Sequence, residues 1–205
     1  GATLHTRHGP ERFDAVVLAV HSDQALALLA EPSGDEQRLL QPMAYGRNRV
    51  VLHRDRSFMP RRRSAWAAWN YERAAQTSRE SPGVCLHYLL NRLQPLPFRQ
   101  PVIVSLNPDP ARMPQPHTVL GAYDYSHPVF DQAAIAAQQQ LPQIQGRSGL
   151  WFCGAWFGSG FHEDGLQAGL AVAEDIGGVR RPWSVPNESD RIPMPIPALE
   201  ALADR

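Results

Sequence analysis

The residues best placed to do chemistry lie between Gly149 and Ile176, in the run GLWFCGAWFGSGFHEDGLQAGLAVAEDI. Gly154, Gly158 and Gly160 bring a backbone close to a ligand or allow positive φ. Gly165 and Gly169 let a following helix approach its neighbours or a cofactor. Such a helix start presents unpaired N–H groups to an acceptor. Here Glu163 and Asp164 stand in its first turn. They repel a bare phosphate, and they suit hydroxyl donors or simply complement the helix dipole. The competing reading is a capped, tightly packed terminal helix. Leu166, Leu170 and Ala173 would be its buried stripe. Gly158 to Glu163 is not a dinucleotide fingerprint, because Glu163 takes the third glycine's place.

An isoalloxazine ring with its ribityl chain fits this arrangement better than a phosphate. Its pyrimidine oxygen takes helix N–H donors, and carboxylates accept from ribityl hydroxyls. His162 is the best ionisable candidate beside such a ring, as a base or as a packing residue. Trp66 and Trp69 are candidates to line a substrate cavity, with Tyr71 nearby. Aromatics at strand spacing are also ordinary packing, and these two tryptophans have opposite parity on an unbroken strand. Cys85-Leu86-His87, His117, His127 and His162 to Asp164 match no standard zinc spacing, so no metal site is expected.

Charge excludes some partners. Arginine and lysine total 20, as do aspartate and glutamate, so the formal charge is zero. That gives no global field for nucleic acid, and no recognition module is visible. Seven arginines crowd positions 47 to 63 (Arg47, Arg49, Arg54, Arg56, Arg61, Arg62, Arg63), with Asp55 the only acid among them. The cluster reads as a solvated loop face, or as a peripheral contact with lipid head groups or an acidic partner. Every basic residue is arginine, which removes any lysine base or Schiff base from this chain.

The elements that must position these residues read as α/β. With 205 residues and 43% hydrophobic content, the chain has material for a core. Ala2 to Thr6 reads as a strand. Asp14 to Val20 is an apolar run expected as a buried, parallel-type strand. Ser22 or Asp23 would cap a helix through Leu29. A short helix follows through Leu40. Tyr45 to His53 and Ser64 to Tyr71 read as strands that could form an antiparallel pair. Val84 to Leu93 is either a helix or a strand running into one. Val102 to Leu106 and Val119 to Tyr123 read as strands, Val129 to Gln140 as a helix, and Gly149 to Cys153 as a strand. A helix is expected from about Asp164 to Ile176. Pro182 to Pro197 holds five prolines and suits no regular structure. No apolar run approaches the roughly 18 residues of a membrane span. The opening residues do not read as a signal peptide. Two cysteines make no disulfide framework, so a cytoplasmic setting is expected.

FCGAWFGSGFHEDGLQAGLAVAE resembles the C-terminal flavin-contacting motif of the amine-oxidase-like FAD-dependent oxidoreductases. FDAVVLAVHSDQAL, NRVVLHRDRSFMPRRRSAWAAWNY, LNRLQ, HPVF and the Pro182-Trp183 pair agree with it. The nearest branch is that of bacterial NAD/FAD-binding proteins associated with cyclopropane-fatty-acid synthase. The similarity runs from about Phe13 to Trp183.

The resemblance implies the C-terminal part of a Rossmann-like FAD domain plus a mixed-sheet substrate domain, that is, α/β with an α+β insertion. Residues 1–42 and 129–181 would belong to the FAD domain, 43–128 to the substrate domain, and 182–205 to a Pro-rich tail. Ala19, Val20 and His21 would approach the cofactor at a strand end. Gly154 and Ala155 would lie near the ribityl or pyrophosphate. Asp164, Gly165 and Leu166 would stand near the flavin's pyrimidine edge, and Phe161, His162 and Glu163 are further candidates for cofactor contact. Relatives commonly carry an acid where Ala155 stands. The dinucleotide-binding strand–GxGxxG–helix segment is expected upstream of Gly1. The function implied is hydride transfer from an amine or a lipidic acyl substrate to FAD, and the lack of lysine argues against lysine-assisted amine oxidation. The alternative is a non-catalytic, flavoprotein-derived binding or interaction module that does not hold FAD by itself. The sequence leaves the oligomeric state open.

Overall fold

The computed structural model describes residues 1–73, 84–184 and 192–193. Along the chain run β1 (Ala2–Thr6), β2 (Gly9–Phe13), β3 (Val16–Leu18), α1 (Ser22–Leu28), α2 (Gly34–Leu40) and β4 (Ala44–His53). Then come β5 (Trp69–Arg73), β6 (Val84–Leu89), α3 (Leu90–Leu93), β7 (Ile103–Leu106) and β8 (Val119–Val129). The last elements are α4 (Gln132–Gln138), β9 (Leu150–Phe152) and α5 (His162–Gly177). They form two compact units, Gly1–Tyr45 with Pro128–Arg205, and Gly46–His127. The class is mixed α/β, with both parallel and antiparallel sheets.

In the first unit β1 and β2 make an antiparallel hairpin. β3 and β9 pair in parallel, with Val16 opposite Leu150 and Leu18 opposite Phe152. The expected strands around them are longer than the ladders that form. The core gathers Ala25, Leu39, Leu40, Leu141, Phe152, Phe157, Ala168 and Val172. Caps fix the helices. Ser33 Oγ accepts from the Glu36 N–H at 3.3 Å, and Glu36 accepts from the Ser33 N–H at 2.7 Å, a capping box. Asp131 caps α4 by accepting from the Ala134 N–H at 2.8 Å.

Two readings of helices are corrected. Neither Ser22 nor Asp23 caps α1; His21 holds the N-cap position, and its N–H donates to Gln24 Oε1 at 3.3 Å. Ser22 is pulled inward instead, where its N–H donates to the Tyr45 hydroxyl at 2.9 Å. In α5 the buried face is Asp164, Gln167, Ala168 and Val172. Leu166 is 55% exposed and Ala173 is also exposed. Hydrogen bonds turn this helix. Asp164 is drawn under the preceding loop, and Gln167 receives a bond from the buried Arg181 at 2.9 Å.

The second unit is built on a five-stranded sheet in the order β5-β6-β7-β4-β8. Ser64 to Tyr71 does not form a strand against β4. Arg63–Ala65 is a 3₁₀ turn, and β5 begins only at Trp69 and pairs with β6. The Asn70 side chain closes this turn by donating to Ala67 O at 2.8 Å and accepting from the Ala67 N–H at 3.1 Å. β4 instead pairs with β7, His53 facing Ile103. Val84 to Leu93 is a strand running into a helical turn. β8 extends to Val129, so α4 starts later than the periodicity suggests. Most of the proline-rich tail lies outside the described residues. Among the described residues no helix is long and apolar enough to cross a membrane.

Candidate functional site

In the first unit the carboxyl ends of β3 and β9 lie side by side. Open α/β sheets bind ligands beyond such strand ends. After β3 come Ala19 and Val20, both exposed, and His21, half-buried. His21 stacks on Tyr45 with ring centroids 4.3 Å apart. Burial pushes the Tyr45 phenol up, against the bonds from Ser22. After β9 the chain turns through Gly154, whose φ is 155°. A Cβ there would lie 2.6 Å from Trp156 Nε1. That indole N–H donates to Val20 O at 2.9 Å, tying the two strand ends together. The turn is braced from behind by Gln138, which donates to Trp156 O and Gly158 O at 2.8 and 2.7 Å.

The turn then delivers the chain into α5. Asp164 has no exposed surface. Its Oδ2 accepts from the Ser159 N–H at 3.0 Å and the Phe161 N–H at 2.8 Å. Its carboxylate therefore folds the glycine turn onto the helix and is directed at backbone. Glu163 is exposed and accepts from Gln167 Nε2 at 2.6 Å. Gly165 lets the helix close on the loop, since a Cβ there would sit 3.4 Å from Ala155 N. Phe161, His162 and Leu166 are exposed around this end of the helix. The structure thus gathers Val20 with Gly154 and Ala155, and joins that turn to the start of α5. A separate cavity of about 430 Å³ lies beside Gly158 and Ser159, lined by Phe130, Ile135 and Gln138 among others. Of the glycines singled out from the sequence, Gly158 lines it, and Gly154, Gly160 and the candidate cofactor-contacting residues do not.

Trp66 and Trp69 lie in the second unit, in different surroundings. Trp66 is half-buried against Met59, Leu89 and Ile103, and its indole donates to Pro60 O at 2.7 Å. Trp69 is 50% exposed and meets Tyr88 edge-on.

The second unit also holds a polar chain that the sequence reading missed. It crosses one face of four strands. The Asp55 N–H donates to His53 Nδ1 at 3.1 Å, leaving Nε2 as the protonated nitrogen. Nε2–H donates to Ser105 Oγ at 2.7 Å, the hydroxyl donates to His87 Nδ1 at 2.7 Å, and His87 Nε2–H donates to Glu72 Oε2 at 3.1 Å. The other Glu72 oxygen accepts from Arg112, whose guanidinium lies 4.8 Å from the Phe58 ring centre. Burial lowers the pKa of His53 to about 4 and lowers that of His87, against the pull of Glu72. Carboxylate–histidine–serine is the connectivity of acyl-transfer triads. Ser105 has no exposed surface, however, so no acyl group reaches it. Glu72 is the end of the chain that opens, onto a cavity of about 440 Å³. The register pairs His87 with Ser105 directly. Alternation alone gives each of them a face, but only the strand order joins them. Among the described residues no three metal-ligating side chains come together.

No family model and no curated protein matches the chain. Solved structures do. The fold is similar to that of a protein from Exiguobacterium sp. 255-15 designated a protoporphyrinogen oxidase, with a TM-score of 0.53 and 13% identity. That likeness covers 85% of this chain and 43% of the other, so this chain spans less than half of that protein's length. A CLA-producing fatty acid isomerase from P. acnes overlaps with a TM-score of 0.44 and 14% identity, over 74% of this chain and 39% of the other. The likeness is one of fold. The chain is a mixed α/β protein whose fold is similar to that of the Exiguobacterium protein.

Proposed function

We propose that this chain is part of an FAD-dependent oxidoreductase. Its first unit forms the flavin-facing wall of the cofactor site, and Gly46–His127 forms the substrate-binding part. A dinucleotide-binding segment upstream of Gly1 completes the cofactor site. The observation that carries this reading is the parallel pair β3 and β9, whose joined ends lead through Gly154 into the start of α5.

The donor set suits a flavin. The first-turn amides of α5 point out of the helix start. The Asp164 charge beside them is already held by backbone N–H groups. The amides of His162 and Glu163 are thus open to an uncharged acceptor such as a pyrimidine carbonyl oxygen. Gly154 and Ala155 would follow the ribityl chain, with Ala19, Val20 and His21 across from them. When bound, FAD supplies the hydride acceptor. The protein's part is to hold the ring at the helix start, exclude water and manage a proton. His162, exposed at the first position of α5, is the side chain assigned to that proton. The proposed substrate is a small amine or a lipidic acyl chain, and the proposed setting is the cytoplasm with peripheral membrane contact at most.

The test is the visible spectrum of the chain after incubation with FAD and desalting, together with the coding sequence upstream of Gly1. Retained flavin absorbance and an upstream strand–GxGxxG–helix support the reading. A colourless protein encoded without such a segment contradicts it.

A further inference from the structure

Three arginines of the second unit line a single cavity of about 210 Å³. Arg63, Arg92 and Arg99 stand around Trp66, Leu89 and Pro101. Among the described residues no acidic side chain lines it, and none of the three arginines has an acidic partner. Two acids of the same unit are occupied elsewhere. Asp55, the lone acid of the arginine-rich stretch, accepts the Ser57 N–H at 3.0 Å and the Gln115 N–H at 3.1 Å. Glu72 is bound to Arg112 and His87.

The arrangement is held in place. Arg92 sits on α3, and Arg99 sits on the loop that follows. Asn91 fastens that loop to α3. Its amide donates to Phe98 O at 3.3 Å and to Gln100 O at 3.0 Å, and its oxygen accepts from the Val102 N–H at 2.7 Å. Leu90 N–H adds a bond to Val102 O at 2.9 Å. On the other side the Trp66 indole is pinned to Pro60 O, and the Arg63 guanidinium lies 5.3 Å from the Trp66 ring centre. Three like charges brought together by fixed backbone repel one another unless an anion joins them. A carboxylate offers two oxygens to such a set. A phosphate offers three or four, and guanidinium forks match it well. By the share of about 30 Å³ per water, the cavity holds roughly seven waters, enough for a phosphate with a few carbon atoms against Trp66 and Leu89.

We propose that this cavity is a binding site for the phosphate group of a small organophosphate or a phospholipid headgroup. The site is independent of the flavin reading. Isothermal titration of the whole chain with inorganic phosphate at low salt tests it directly. Saturable binding with a Kd of about 1 mM or tighter is expected. Arg92→Ala weakens it about tenfold and the Arg92→Ala/Arg99→Ala pair about a hundredfold. Both side chains are exposed, so the melting temperature stays that of the parent and a folding defect does not confuse the result. Flotation with phosphatidylglycerol vesicles identifies the source. Binding that free phosphate competes away assigns a lipid headgroup, whereas phosphate binding without flotation assigns a soluble ligand. Absence of both, or binding undiminished in the double variant, overturns the proposal.

Discussion

Lowering the pH from 7 to 4.5 should destabilise the second unit through His53. This imidazole has no exposed surface and its pKa is about 4, against an unperturbed value of 6.5. Burial is the main cause, partly offset by Asp55 and reinforced by His87. The sign follows from proton counts. Between pH 6.5 and about 4 the unfolded chain holds a proton on this residue and the folded chain does not. The stability is therefore fully present above pH 6.5, falls as pH drops through that window, and falls no further below about 4 on this group's account. At about 1.4 kcal/mol per pH unit the whole window is worth about 3 kcal/mol. There is a structural reason for the resistance. Nδ1 accepts the Asp55 amide, so a second proton has to break that bond. Urea unfolding of the whole chain at pH 7, 6, 5 and 4.5, set beside His53→Asn, isolates the contribution. The parent loses stability more steeply than the variant. Ring NMR of His53 gives its midpoint independently. Equal slopes in parent and variant, or a His53 midpoint near 6.5, would refute the reasoning.

Glycine substitutions separate the strained turn from the open helix. Gly154→Ala places a methyl 2.6 Å from Trp156 Nε1, and should cost about 1–3 kcal/mol in a thermal or urea melt. Gly169→Ala meets nothing within 4 Å and should stabilise α5 by about 0.5–1 kcal/mol. A neutral Gly154→Ala would remove the tie between the two strand ends from the account. Asp164→Ala frees the Ser159 and Phe161 amides. It should cost about 1–2 kcal/mol, with faster hydrogen exchange at those two amides. Unchanged exchange there contradicts its capping role.

Some of this was legible in the sequence because local rules decide it. The apolar runs at Val16 and Leu150 and the short helix ending at Leu40 each carry their own signal. The glycines around residue 154 marked the turn for the same reason. What failed depended on distant partners. Ser64 to Tyr71 has strand alternation, yet Asn70 closes a turn within it and leaves only Trp69 onward for pairing. Leu166 and Leu170 have helical spacing, yet a buried carboxylate sets the rotation of α5. No reading of spacing predicts that an acid outranks a leucine for the interior. The His53–Ser105–His87 chain draws on three strands, so only the sheet order reveals it. The arginine cavity is similar. Arg63 stood out in its local cluster, but Arg92 and Arg99 join it only through the Asn91 bonds.

The central claim is that the ends of β3 and β9 and the start of α5 face a flavin. Backbone amide NMR of the chain titrated with FAD to saturation tests it most directly. The account predicts the largest shifts at Val20, His21, Gly154, Ala155, His162 and Glu163, and little change along β6 and β7. Saturating FAD that leaves those amides unmoved, or that shifts only residues elsewhere, would contradict it.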